Sequence, residues 1–116
     1  MSTKPPGPAL KTNDLFVLAV LANGPQHGYA ISQQIDERSR GRVQVRPGDL
    51  YRVLYRMDAA GFIEEVPDSA RPAGDDRRSY YRITPLGRRV ARDQAQMLSE
   101  VCAAMLGRQR KGEVLP

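Results

Sequence analysis

Between Pro47 and Val66 the chain reads PGDLYRVLYRMDAAGFIEEV, and no other stretch restricts the fold as much. Pro47, with its fixed φ and missing amide proton, suits the first turn of a helix, and Gly61 suits a left-handed cap just past its end. Between them Leu50, Val53, Leu54 and Met57 recur at spacings of three and four, which places them on one face. Gly48, Tyr51, Arg52, Tyr55, Arg56 and Ala59 fall on the other side, so the helix has an apolar face to bury and an aromatic, basic face to present. The apolar run that follows, Phe62 to Val66, reads as a strand. From Arg38 to Arg56 six arginines stand against one aspartate, a local +5 that equals the formal net charge of all 116 residues. The positive charge is concentrated where a helix reading nucleic acid would sit.

The bulk numbers narrow the class. At 116 residues the chain has room for one domain with its own core and none for a second, substrate-binding domain. An excess of 18 Lys and Arg over 13 Asp and Glu favours an acidic partner such as DNA, RNA or an anionic membrane surface. The longest apolar run, Leu15 to Ala22, is far below the roughly 20 residues that span a bilayer, so a soluble, cytoplasmic protein is expected. Cys102 is the sole cysteine. It allows neither an internal disulfide nor a multi-cysteine metal site, and a buried thiol is its expected role. No triad, phosphate-cradling glycine loop or paired-carboxylate site is visible, so neither an enzyme nor a cofactor is expected.

Around the opening segment the chain divides into four parts. Residues 1–11, with Pro5, Pro6, Gly7 and Pro8, read as a flexible arm. Residues 12–84 form the main domain. A first helix from Asp14 to about Asn23, capped by Asn13 or Thr12, is apolar nearly all round, so it should be covered on its second side by another subunit. A second helix from Gly28 to Arg38 buries Ala30, Ile31 and Ile35. After a turn over Ser39–Arg46 and the third helix, a hairpin pairs Phe62–Val66 with Ser79–Ile83 across a loop from Asp68 to Arg78. Residues 85–106 continue from the cap Thr84 and Pro85 as one helix of roughly 30 Å, and residues 107–116 form a basic tail. Along that helix Val90, Met97 and Ala104, then Ala91, Leu98 and Met105, repeat every seven residues with Val101 and Cys102 between them. A stripe of this kind asks for a partner, most economically the same helix of a twofold-related subunit. The expected fold class is mainly α with a small two-stranded β-wing: a winged helix-turn-helix plus a long C-terminal dimerisation helix.

Four motifs in order sharpen this. GPQHGYAI at 24–31 is similar to GPxHGYxI, GDLY at 48–51 to GTLY, AGFI at 60–63 to a GLI turn, and YYRIT at 80–84 with Gly87 to YYxLTxxG. Together they resemble the PadR family of winged-helix transcriptional regulators, over about Leu15 to Leu106, in its small subfamily with one long terminal helix. The resemblance implies a homodimeric repressor of double-stranded DNA, with the third helix in the major groove, the wing beside the backbone and the terminal helix at the dimer seam. By the same resemblance, many members are released by a small, often aromatic or cationic compound near that seam, while others respond to none. Two positions depart from the pattern. Asp49 stands where the family has threonine; a carboxylate there suits the helix dipole, repels a phosphate and could accept from a cytosine amino group. At the wing tip Asp75 and Asp76 precede Arg77 and Arg78, so these charges can pair internally.

The DNA-facing set expected from residues and resemblance together is Arg46, Gly48, Asp49, Tyr51, Arg52, Tyr55, Arg56, Arg77 and Arg78. Arginines can chelate guanine or clamp phosphate, and tyrosines can hydrogen-bond phosphate or stack on sugar. Arg38, Arg40 and Arg42 would add nonspecific attraction. The dimerisation set is Leu15, Phe16, Leu18, Val90, Met97, Leu98, Val101 and Met105, and an effector pocket would lie in the same seam. Against these stand plainer readings: a solvated basic face, or a winged helix that docks another protein without reading DNA. His27, alone among histidines, fits helix-start packing better than metal binding. Tyr29, Tyr80 and Tyr81 fit core packing better than an effector pocket. Arg88, Arg89 and Arg92 crowd a helix start, where the dipole disfavours cations, and a partner acid or a phosphate would explain them.

Overall fold

A computed structural model describes residues 10–71 and 78–107. The readings made for residues 1–9, for Asp75, Asp76 and Arg77 and for the tail from residue 108 lie outside them. The elements follow in the order α1 Thr12–Leu21, β1 Gln26–His27, α2 Gly28–Arg38, α3 Pro47–Ala59, β2 Ile63–Glu65, a 3-10 turn Asp68–Ala70, β3 Tyr80–Ile83 and α4 Pro85–Met105. No helix among the described residues is long and apolar enough to cross a membrane.

Helix α1 begins two residues earlier than its sequence suggests, and Lys11 rather than Asn13 or Thr12 is the cap. Asp14 is the reason. It sits third in the helix, and its Oδ2 accepts the Lys11 amide proton at 2.9 Å, satisfying a helix-start donor from inside the first turn. Val17, Leu18, Val20 and Leu21 then enter the core with Ile31 and Ile35 of α2 and Leu50, Val53, Leu54 and Met57 of α3. Each such side chain contributes about 1.5–3 kcal/mol on burial. The core is therefore a three-helix junction, closed from below by Phe62, Ile63 and Ile83.

The hairpin pairs β2 and β3 antiparallel, with Ile63 opposite Ile83, Glu64 opposite Arg82 and Glu65 opposite Tyr81. Glu64 and Arg82 complete their register with a 2.8 Å ion pair. The sheet has a third strand beyond the two expected. β1 pairs antiparallel to the other edge of β3, Gln26 opposite Tyr81 and His27 opposite Tyr80, so the order is β1-β3-β2. Two residues are too few to carry a period-two pattern, and the sequence offered no signal for this strand.

One close approach fixes how α4 leaves the sheet. Gly61, at φ +83°, turns the chain out of α3, and Thr84 ties that turn to α4. Its hydroxyl donates to the Gly61 carbonyl at 2.6 Å and accepts the Gly87 amide proton at 3.0 Å. A Cβ on Gly87 would lie 2.0 Å from the Phe62 carbonyl oxygen and 2.9 Å from Ile83 Cγ1. Val90 and Ala91 still pack on the core, Ala95 and Leu98 still face α1 across a groove, and beyond them α4 becomes exposed, Met105 to 80 %. Cys102, expected buried, is exposed, because it lies on this projecting part where the single chain has nothing to pack against it.

Gly87→Ala should therefore destabilise the protein by at least about 1–3 kcal/mol, the cost of overpacking against backbone that cannot retreat. A thermal melt followed by circular dichroism checks this, and an unchanged midpoint would contradict the close approach.

Candidate nucleic-acid interface

Helix α3 meets the core along Leu50, Val53, Leu54 and Met57, all buried, as its spacing requires. The opposite side is open. Tyr51 and Tyr55 are exposed, Tyr55 to 79 %, and Arg46, Gly48, Asp49 and Arg52 line the same outer surface. Asp49 Oδ1 lies 3.9 Å from Arg52 one turn later, a solvent-screened neighbour that leaves both groups able to meet a ligand. Arg38, Arg40 and Arg42 are exposed in and before the turn into α3. This turn is held by Ser39, whose hydroxyl accepts the Val43 amide proton at 2.9 Å, and by Gly41 at φ +78°.

Arg56 differs from the other arginines of this face. Its Nη2 donates to Oδ1 of Asp14, and Asp14 is 1 % exposed while Arg56 remains 46 % exposed. The pair crosses from α3 to α1. Sequence reading assigned Asp14 to the helix dipole and Arg56 to the reading face; 42 positions of separation hide such a contact from any pattern along the chain.

The base of the wing meets α2 at His27. Its Nδ1 caps α2 by accepting the Ala30 amide proton at 3.2 Å, and its Nε2 stands 2.9 Å from an Arg78 guanidinium nitrogen. The ring also sits edge-on to Tyr80, centroids 5.3 Å apart at 88°. A neutral imidazole has one acceptor nitrogen, so it accepts from Ala30 or from Arg78, never both. His27 thus has the helix-start role expected of it. Around it His27, Gly28, Tyr29, Tyr51, Arg78 and Ser79 border a polar recess of about 370 Å³ that joins α2, α3 and the wing. Tyr80 is a core residue, as expected. Tyr29, also expected to pack, is exposed and receives a 3.2 Å hydrogen bond from Gln33, because it lies on the outer side of the first turn of α2.

On the far side α1 and α4 enclose an apolar groove of about 390 Å³, lined by Leu15, Leu18, Ala19, Ala22, Ala91, Arg92, Ala95 and Leu98. Of the expected dimerisation residues, Leu15 and Leu98 line this groove; Met97, Val101 and Met105 are exposed on α4; Phe16 and Val90 are partly buried against the core. Leu18 is 1 % exposed. It lines the groove and also belongs to the core, because α1 turns that side towards α2 and α3. Arg88 answers its own unfavourable position by reaching back to the C-terminal end of α1, where its guanidinium donates to the Ala22 carbonyl at 3.4 Å and meets the negative end of that helix dipole.

A recognition-type helix seated on two others, a three-stranded wing and a projecting terminal helix are the geometry of known regulators. The transcriptional regulator PadR-like family model matches residues 17–93. The chain belongs to that family. The transcriptional regulator Rv3488 of Mycobacterium tuberculosis is 34 % identical over 95 residues, 82 % of this chain and 83 % of that protein. A 37.1 kDa protein of transposon TN4556 from Streptomyces fradiae is 32 % identical over 94 residues. The match takes up 79 % of this chain and a quarter (25 %) of the transposon protein's length. In fold, a PadR family transcription regulator from Clostridium difficile superposes with a TM-score of 0.69 at 22 % identity, covering 84 % of this chain and 97 % of that one. The PadR family is one of transcriptional regulators, and the chain is accordingly no enzyme.

Burial, and then the Glu65 carboxylate, raise the pKa of the Tyr81 phenol on β3. The folded state thus holds this proton more tightly than the unfolded chain, so the contribution is present below about pH 10 and lost as pH rises through the raised value. Thermal midpoints measured across the alkaline range should fall less steeply for Tyr81→Phe than for the parent; parallel curves would contradict the burial of that hydroxyl.

Proposed function

We propose that this PadR-family protein is a cytoplasmic, homodimeric, sequence-specific DNA-binding repressor. Paired α3 helices enter successive major grooves of a pseudo-palindromic operator, and a small aromatic or cationic compound in the α1–α4 groove relieves binding. What supports DNA readout above all is the outer face of α3: its apolar side is spent entirely on the core, and Tyr51, Arg52 and Tyr55 face solvent with Arg46 and Gly48 beside them. These are the groups that chelate guanine and hold phosphates. Arg78 stands at the wing base within reach of a flanking backbone, and Asp49, at the helix tip, suits a cytosine amino group. Support for a twofold partner comes from α4, whose Met97, Val101 and Met105 are exposed beside an apolar groove.

Gel-shift titration of the chain against duplexes enriched from a random library tests the readout. Binding should weaken by orders of magnitude between about 50 and 200 mM salt, as several phosphate contacts require. Arg52→Ala should cost about 1–3 kcal/mol on the enriched duplex. Equal affinity for enriched and scrambled duplex, or indifference to salt, would favour a protein-docking module instead.

The dimer has its own check. Val101→Glu with Met105→Glu places charge on positions that are exposed in the single chain, so each protomer should stay folded while light scattering reports a monomer. An unshifted dimer mass would remove α4 from the seam.

A further inference from the structure

Arg56 lies on the basic side of α3 and yet serves a carboxylate inside the protein. Asp14 is 1 % exposed, and a buried carboxylate is stable only with charge and hydrogen bonds around it. The Lys11 amide satisfies Oδ2 and the Arg56 guanidinium satisfies Oδ1. Lys11, Asn13, Asp14, Asp49, Arg52, Val53 and Arg56 together border a cleft of about 170 Å³ between α1 and α3; the Arg52–Asp49 pair there lies within α3, whereas the Arg56–Asp14 pair joins the two helices. The adjacent residue, Leu15, and then Leu18, Ala19 and Ala22, line the groove against α4. One short helix thus carries the proposed dimer seam along one side and grips the reading helix from the other.

We infer that Asp14 is a positioning residue for DNA recognition: by holding Arg56 it sets the orientation of α3 relative to α1, and through α1 relative to the dimer seam, so that Arg56 aligns the reader instead of reading a base. This rests on the DNA-binding reading above and goes beyond it by assigning the two residues. The physical reasoning is that nonspecific grip comes from phosphates and tolerates a tilted helix, whereas base readout requires side chains at fixed distances from base edges in two half-sites at once. A charge-assisted strut between the seam and the reader fixes the second quantity and not the first. Because Asp14 neutralises Arg56, the pair adds little to the net charge that α3 offers to phosphate.

The test uses the full chain, one duplex enriched by it from a random library and a scrambled duplex of equal length. Asp14→Asn keeps the side-chain shape and an acceptor for the Lys11 amide. It should lower affinity for the enriched duplex about tenfold or more, with affinity for the scrambled duplex retained or raised and the oligomeric mass unchanged. Arg56→Gln should produce the same loss, and the double variant should be no worse than either single one, the non-additivity of two groups acting as one unit. Arg56→Lys, which keeps a cation on the buried carboxylate, should restore part of the discrimination. Two results would overturn the inference: Asp14→Asn binding the enriched duplex as tightly as the parent while Arg56→Gln loses preference at a single base pair, or Asp14→Asn losing both duplexes equally together with its thermal midpoint. If the parent itself shows no preference for the enriched duplex, the failure lies with the DNA-binding reading, a separate outcome.

Discussion

The burial of one face of α3 against α1 and α2 governs everything else in this protein. Leu50, Val53, Leu54 and Met57 are consumed by the core, so the helix cannot rotate without exposing several large side chains, each costing about 1.5–3 kcal/mol. With that face fixed, Tyr51, Arg52 and Tyr55 have nowhere to go but outward. The exposed aromatic and basic surface is thus a consequence of packing: a helix whose core side is over-determined presents its other side with equal definition. Pro47 and Gly61 add the ends, the first by pre-setting φ and the second by accepting a left-handed turn into β2.

A second constraint separates the basic face of α3 from the apolar groove between α1 and α4. Helix α1 touches α2, α3 and α4 and is apolar on more sides than its own domain can cover. The surplus faces α4 across the groove, and α4 in turn carries its stripe beyond the domain. Small side chains, Ala19, Ala22, Ala91 and Ala95, line much of that groove, which keeps it wide and lets another apolar surface approach closely. Charge is handled locally instead of globally: Arg88 sits on the exposed end of α1, Arg82 on Glu64, and Arg71 on Glu65 and Asp68. Between Arg38 and Arg56, six arginines against one aspartate leave an excess of positive charge around α3 and the turn before it.

Much of this was legible in the sequence, and the parts that were not have a common cause. Regular spacing exposed α2 and α3 to within a residue or two, and Thr84-Pro85 marked the start of α4, because these signals are local. The helical face of α3 and the apolar stripe of α4 followed from the same periodicities. What failed were features decided by distant residues. β1 exists because β3 offers an open edge to two residues following Pro25. The start of α1 is a local exception: Asp14, three residues on, supplies an acceptor to the Lys11 amide from within the helix. Cys102 is exposed because the helix that carries it leaves the domain, and a composition-based expectation of burial takes no account of that geometry. The contact of Arg56 with Asp14 was hidden for the same reason, because it joins two helices across 42 positions of sequence.

Hydroxyl-radical footprinting of the full chain on an enriched duplex tests the central claim most directly, because it reports where on the DNA the protein stands. A twofold-related pair of α3 helices predicts two protected segments of equal depth with centres about one helical turn apart, roughly 34–36 Å. A single protected segment, or uniform protection without a boundary, would contradict the account.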